Sequence, residues 1–437
     1  MSRSKSGTRV RRALLSVLGV SLLLTIPMAV AGAAPAKSTA PGAKPFQGQS
    51  ITYLYSTNGP DLNATKVLIQ KFDASTGATV NLDVVPYANQ ETIAEADLSA
   101  GRAPGVLETT TATTFGKDEV NLGQALGSAW VKSISPNMFG GDIYNGEIVG
   151  LPNQLTVDGF FVNINMFKKA GVPVPTLKSH YTWPQFVAMA IKVQKANSTP
   201  YAIAMDHSAA RVADLFTTFG YNLFGNNGNS AGNASDLLTA MKYFGGLFQR
   251  SVFPGDWFIS SGTAYAAGDT LFLAKEAPVL LSGSWELASF LVPSTGPSFK
   301  WSLVPSPCEV ACGSMSGGNY MVAFTKSNDP TLAEAFIKFM SEPVNQAYMS
   351  VQSDTIASAV ADAVPGVVKY TPAAAPSMQV FGQQAALFPA AGNISENANG
   401  FNAAGLVMEE QLTDVMAGTT TPQAATKATL AAAKANL

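Results

Sequence analysis

Residues 147–194 read EIVGLPNQLTVDGFFVNINMFKKAGVPVPTLKSHYTWPQFVAMAIKVQ. An apolar strand is predicted over Ile148–Leu151, with Pro152 as its stop because proline cannot donate to a ladder. A polar run, Asn153–Asp158, leads to a second apolar strand, Gly159–Val162. A short helix, Met166–Ala170, then ends at Gly171. Past Pro173 and Pro175 comes the clearest helix start in the chain. Thr182 is placed to cap it, Trp183 and Pro184 fill its first turn, and Gln185 stands three residues after the cap. Trp183, Phe186, Val187, Ala190 and Ile191 then share one helical face. Two apolar strands joined by a polar link fit a chain passing between two lobes, or an ordinary strand–loop–strand in one α/β domain.

The surroundings favour two lobes. At 437 residues the chain exceeds what one core usually fills. From Ile51 the pattern alternates: strand Ile51–Tyr55, helix Asn63–Thr76, strand Thr79–Val85, helix Gln90–Ala100, and a short strand at Val106–Leu107. Such alternation implies a largely parallel sheet with helices on its faces. In open α/β sheets, ligands sit beyond the carboxyl ends of strands. Here those ends are Ser56–Gly59 and Glu108–Thr110, which carry short hydrogen-bonding groups; Asn58-Gly59 is also a turn in its own right.

The first residues read as an export address; a membrane anchor is the alternative, and Pro27 and the small-residue end argue against it. Arg3, Lys5, Arg9, Arg11 and Arg12 precede an apolar run, Ala13–Ala34, with small-residue cleavage sites near Ala31 and Ala33. Residues 1–33 are therefore expected to be removed and 34–48 to be a flexible linker. No Cys lies near the cleavage region, so no lipid anchor is expected. The signal holds five of the 27 basic residues and none of the 29 acids, which moves the formal charge from −2 to −7. That disfavours nucleic acid and anionic membranes as partners. The only cysteines, Cys308 and Cys312, are four apart in an exported chain, and a local disulfide is expected.

The order of these segments resembles the extracellular solute-binding proteins of ABC transporters, in the sugar-binding branch typified by maltodextrin-binding proteins. The resemblance rests on Gly146–Pro152, Phe161–Asn163, Lys169–Gly171 and Thr182-Trp183. It continues through Phe272–Ala277 with Gly283-Ser284-Trp285, then Gly317–Tyr320 and the helix Pro330–Met340. It ends with helix Phe401–Met416, closed by Gly418, and an Ala-rich helix opening at Pro422. It departs at Pro104-Gly105, at Ala274 and at Ser353–Thr355.

The resemblance implies an α/β, two-lobed periplasmic-binding-protein fold of type II. The first lobe would be 49–155 and 317–384, the second 156–316 and 385–437. Hinge crossings are expected near Gln154–Asp158, Ser314–Gly318 and Gln384–Phe388. It further implies a monomer that captures a saccharide and hands it to a transporter permease, without catalysis, metal or cofactor. The expected ligand set is Asn58 and Thr110 from the first lobe, with Gln154 and Asp158 beside the hinge. The second lobe would add Tyr221, Trp257 and Trp285, with Asn319 at the recrossing. Alternative roles are a hinge contact for Asp158, and core packing for Tyr221, Trp257 and Trp285. The chemistry searched for is thin: two His, no H-E-x-x-H, no zinc-type Cys set, no P-loop and no G-x-G-x-x-G. Scattered carboxylates leave a secreted glycoside hydrolase open, and a carbohydrate adhesin without a transporter is the other rival.

Overall fold

The computed structural model describes residues 44–56, 61–134, 142–225, 230–261, 265–356, 368–398 and 400–437. The expected signal, most of the expected linker and Asn58 lie outside the described residues. Among the described residues ten strands occur in chain order: β1 (Ser50–Ser56), β2 (Thr79–Val85), β3 (Val106–Thr109), β4 (Ile143–Tyr144), β5 (Glu147–Ile148), β6 (Gly150–Asn163), β7 (Ile203–Met205), β8 (Val279–Gly283), β9 (Trp301–Val304) and β10 (Ser316–Ala323). β4 and β5 make a small hairpin of their own.

β6 organises the rest. Its first half pairs with β10, and its second half, from Asp158, pairs with β8 and β9. One continuous 14-residue strand replaces the two separate strands expected from the sequence. Pro152 does not stop it, because the pairing skips a residue there. Asn319 faces Gln154 while Tyr320 faces Pro152, leaving Asn153 as an extra residue. A bulge of this kind is where a strand tolerates proline.

The first lobe holds β2-β1-β3-β10, and the second holds β8, β7 and β9 beside the far half of β6. β1 pairs in parallel with β2 and β3, and β7 with β8. All pairs made by β6 and β10 are antiparallel, so the sheets are mixed rather than largely parallel. The cause is connectivity: β10 re-enters the first lobe from the second and meets β3 head to tail.

Alternation along β1 sets the first core. Tyr53 and Tyr55 face helices Leu62–Thr76 and Pro330–Met340, while Leu54 faces helix Gln90–Ser99. In the second lobe, Phe160 and Val162 face a core built with Trp183, Phe186, Phe216 and Phe244, and Phe161 faces Leu280, Phe290 and Phe381. The helix starting at Trp183 has the full capping box: Gln185 N–H donates to Thr182 Oγ1 (3.4 Å) and Thr182 N–H to Gln185 Oε1 (2.9 Å). Trp183 Nε1 donates to Thr218 Oγ1 at 2.7 Å, so its buried indole keeps a polar partner.

Helix Ala375–Leu387 departs from the expected division. It packs on β6 and β9, and Ala374, Met378 and Phe381 join the second lobe's core. The sequence reading keeps residues through 384 with the first lobe. Phe381 lies against Gly159, where a Cβ would stand 2.8 Å from the ring, so the helix docks only because β6 has a glycine there. Cys308 and Cys312 form a disulfide with Cα atoms 4.4 Å apart. Among the described residues no helix is long and apolar enough to cross a membrane.

Candidate functional site

A cavity of about 420 Å³ lies between the two lobes. Its first wall is built at the ends of β1 and β3, from Ser56 and Thr109–Thr111, with Tyr87 and Glu91 beside them. The second wall comes from Ser208–Arg211 after β7, Trp285 after β8, and Glu396, Phe401 and Glu409 from the C-terminal helices. Gln154 of β6 and Asn319 of β10 line it where the lobes join. Side chains also meet across it. Tyr87 and Tyr265 pack edge to face at 5.7 Å, Asn402 Nδ2 donates to Thr111 Oγ1 at 3.0 Å, and Tyr320 donates to Asn397 Oδ1 at 3.4 Å.

Four of the expected ligand residues line this cavity: Thr110, Gln154, Trp285 and Asn319. The indole of Trp285 folds over its own turn. A Cβ on Gly283 would stand 2.0 Å from the ring, so only glycine permits the placement. Gln154 is oriented from behind. Its Nε2 donates to Asp61 Oδ1 at 3.4 Å, and its buried Oε1 has no protein partner.

Asp61 belongs to a buried network beneath the first wall. Tyr55 donates its hydroxyl to Asp61, and Asn153 Nδ2 reaches Glu108 Oε1 at 3.0 Å and Asp61 Oδ2 at 3.4 Å. Burial pushes both carboxyls up, Glu108 well up, with Asp61 beside it raising it further. Glu108 ends up under the cavity floor rather than on it.

Three expected ligand residues stand elsewhere. Tyr221, 1% exposed, packs against Phe216 inside the second lobe. Its N–H donates to Phe216 O at 3.1 Å, and that tight turn sends the ring under the helix rather than into the cleft. Trp257 is partly buried against the same core. Asp158 is fully buried and pairs with Arg211, while its own N–H donates to Met315 O at 3.1 Å.

Arg211 is the main residue that sequence reading misses. It sits in helix Ala209–Thr217, whose cap, Ser208, accepts from Arg211 N–H at 3.1 Å. Its guanidinium pairs with Asp158, lies 3.7 Å from Asp206 Oδ2, and stands 5.1 Å from the Trp285 ring. An arginine three residues before Asp214 in the mostly apolar run Ala209–Thr217 is a signal that could have found it. Tyr87, Tyr265, Glu396 and Glu409 carried no such signal.

Carboxyls outnumber cations behind the second wall. The Ser282 hydroxyl lies 2.6 Å from Asp206 Oδ2 and 2.9 Å from Glu286 Oε1. A hydroxyl has one proton to donate, so the two carboxyls share a single donor there. Burial pushes Asp206 up to about 7 and Glu286 well up. Burial also raises Asp214 to about 6, against the pull of Arg211. His207 Nε2 pairs with Glu409. Among the described residues no group of three His, Cys, Asp or Glu side chains is placed to hold a metal ion.

Solved structures share this architecture. The GacH receptor of Streptomyces glaucescens, described unliganded and with acarbose, is 17% identical; the match covers 89% of this chain and 98% of that one, with a TM-score of 0.72. The substrate-binding protein Lmo0181 of Listeria monocytogenes, in complex with cycloalternan, is 16% identical over 89% and 98%, with a TM-score of 0.74. A solute-binding protein of Thermotoga lettingae bound with α-D-tagatose is 17% identical over 89% and 99%, with a TM-score of 0.73. No curated protein matches the chain. The family model for bacterial extracellular solute-binding proteins matches residues 56–347. That span is more than half of the chain, and with the two-lobed fold around its cleft the chain belongs to that family.

Proposed function

We propose that the protein captures a saccharide in the interlobe cleft and delivers it to an ABC transporter permease. The observation that carries this reading is the lining of the 420 Å³ cavity, which sets the aromatic residues Trp285, Tyr265 and Tyr87 among short polar groups of both lobes. Saccharides present apolar C–H faces and polar edges, which is the complement of such a wall. The structurally similar proteins named above are described with acarbose, cycloalternan and tagatose.

On this reading Thr110, Gln154, Trp285 and Asn319 touch the ligand directly. The lobes close by bending where β6 and β10 pass between them, and closure presents a changed surface to the permease. The chain works as an exported monomer, and binding alone, without bond cleavage, is its task. A thermal-shift panel of mono- and oligosaccharides tests this. A ligand at 100 times its dissociation constant adds about 2.7 kcal/mol of stability. No shift across a broad panel refutes the saccharide assignment, and hydrolysis of a bound saccharide refutes the transport role.

A further inference from the structure

Among the described residues Arg211 is the one lysine or arginine lining the cleft, and its charge is already matched inside the protein. It pairs with Asp158, and its Nη2 lies 3.7 Å from Asp206 Oδ2, with all three side chains 3% exposed or less. Besides these carboxyls the guanidinium meets the Trp285 ring, whose centre is 5.1 Å from Cζ. That is within the reach of cation–π attraction, which is strongest for a desolvated cation over an indole.

The strand register explains why these groups meet. Asp158 of β6 stands directly opposite Gly283 of β8, and opposite residues of an antiparallel pair project to the same face. Phe160 and Leu281, two residues away on each strand, share that face and pack with Val212 and Leu215 of helix Ala209–Thr217. There the Asp158 carboxylate reaches Arg211, and the missing side chain of Gly283 leaves a notch. The Trp285 indole lies in the notch: a Cβ on Gly283 would collide with ring carbons Cε3, Cζ3 and Cη2. Trp285 stays partly exposed and lines the cavity.

We propose that Arg211 is a positioning residue for ligand capture: fixed by Asp158, its guanidinium holds the Trp285 indole over Gly283 and so presents the ring to the saccharide. The proposal rests on the cleft reading above and adds the side chains that set its aromatic wall. Arg211 then has no ligand charge to recognise. A lysine in its place keeps the charge but has no planar group to lie along a ring. An alanine at Gly283 leaves the ion pair in place and displaces the ring alone.

Titration calorimetry with glucose, maltose, mannobiose, tagatose and glucuronate tests it, using the tightest binder for the variants. Trp285→Ala should weaken binding by more than about tenfold, and Gly283→Ala should match it. Arg211→Lys should weaken binding about fivefold in the parent protein and less than about twofold in the Trp285→Ala background, since the two residues act as one unit. An Arg211→Lys loss that is absent, or equal in both backgrounds, overturns the proposal and leaves the saccharide reading standing. So does parent-like affinity in Gly283→Ala or in Trp285→Ala, or glucuronate binding more tightly than glucose. Acrylamide quenching of the ligand-free protein gives a second readout, with Trp285→Phe as the blank that isolates one of five tryptophans. Trp285 should become more accessible to quencher in both Arg211→Lys and Gly283→Ala, and unchanged quenching in either overturns the proposal. If no sugar binds, the saccharide reading falls, and the quenching alone decides whether Arg211 holds the ring.

Discussion

Arg211 and Asp158 form an ion pair inside the second wall of the cleft, their side chains 3% and 1% exposed. The pair ties helix Ala209–Thr217 to β6 at the residue where that strand leaves β10 and takes up β8. Removing one partner strands the other. Asp158→Ala should cost about 3–5 kcal/mol in urea unfolding, the usual loss for a broken buried pair. Arg211→Met should cost less, because the carboxyls around it can take up protons. Equal small losses would show that the pair contributes little.

Tyr221 and Trp285 should separate cleanly. Tyr221→Ala removes a core ring and should cost about 3–5 kcal/mol of stability, with ligand affinity in the surviving folded protein unchanged. Trp285→Ala opens the cavity wall and should weaken binding by about 2–4 kcal/mol, with a smaller loss of stability. Denaturation and calorimetry on the same two variants check both. A weakened affinity in Tyr221→Ala would return that ring to the site.

Stability should fall as pH rises from about 4 to 8. Burial raises Glu119 to about 8, Asp206 to about 7 and Asp214 to about 6. A carboxyl raised in the folded state binds its proton more tightly than in the unfolded chain. Its favourable contribution is complete below the unfolded pKa and is lost as pH climbs to the folded one. Each such group removes up to about 1.4 kcal/mol per pH unit across that window. Melting temperatures of the empty protein should drop between pH 5 and pH 8, and Glu119→Gln should flatten the drop. A stability maximum near pH 8 contradicts the assignment.

Reduction of Cys308–Cys312 should destabilise modestly, about 2 kcal/mol for so short a loop. The bridge holds a segment whose Cys308 carbonyl accepts from Trp183 N–H at 3.1 Å and whose Cys308 N–H donates to Tyr181 O at 2.8 Å. Paired denaturation curves with and without reductant measure the loss. Two titratable thiols in the unreduced, unfolded protein would show that the bridge is absent.

Much of the fold was legible in the sequence because its signals are local. The Thr182–Gln185 capping box depends on four consecutive residues, and the structure has both of its hydrogen bonds. Strands and helices from Ile51 to Thr109 alternate as their apolar periods say. The order of weak motifs named the family because order survives where identity does not. Pro152 shows the limit: whether a proline ends a strand depends on the partner opposite, and here the bulge at Asn153 admits it.

The site shows the limit more sharply. Trp285 was reachable from sequence because it follows a strand's carboxyl end, a position set by topology. Tyr221 looked equally eligible and is buried, because a turn to Phe216 O reverses the chain beneath its helix. Arg211, Tyr265, Glu396 and Glu409 meet only when segments nearly two hundred residues apart fold into one wall. The sequence by itself determined most of the helices and strands and pointed to the family, since each is encoded over short spans. Tertiary structure alone decided which carboxyls line the cleft and what each one meets, because pairing and burial belong to distances in space and not to spacing along the chain.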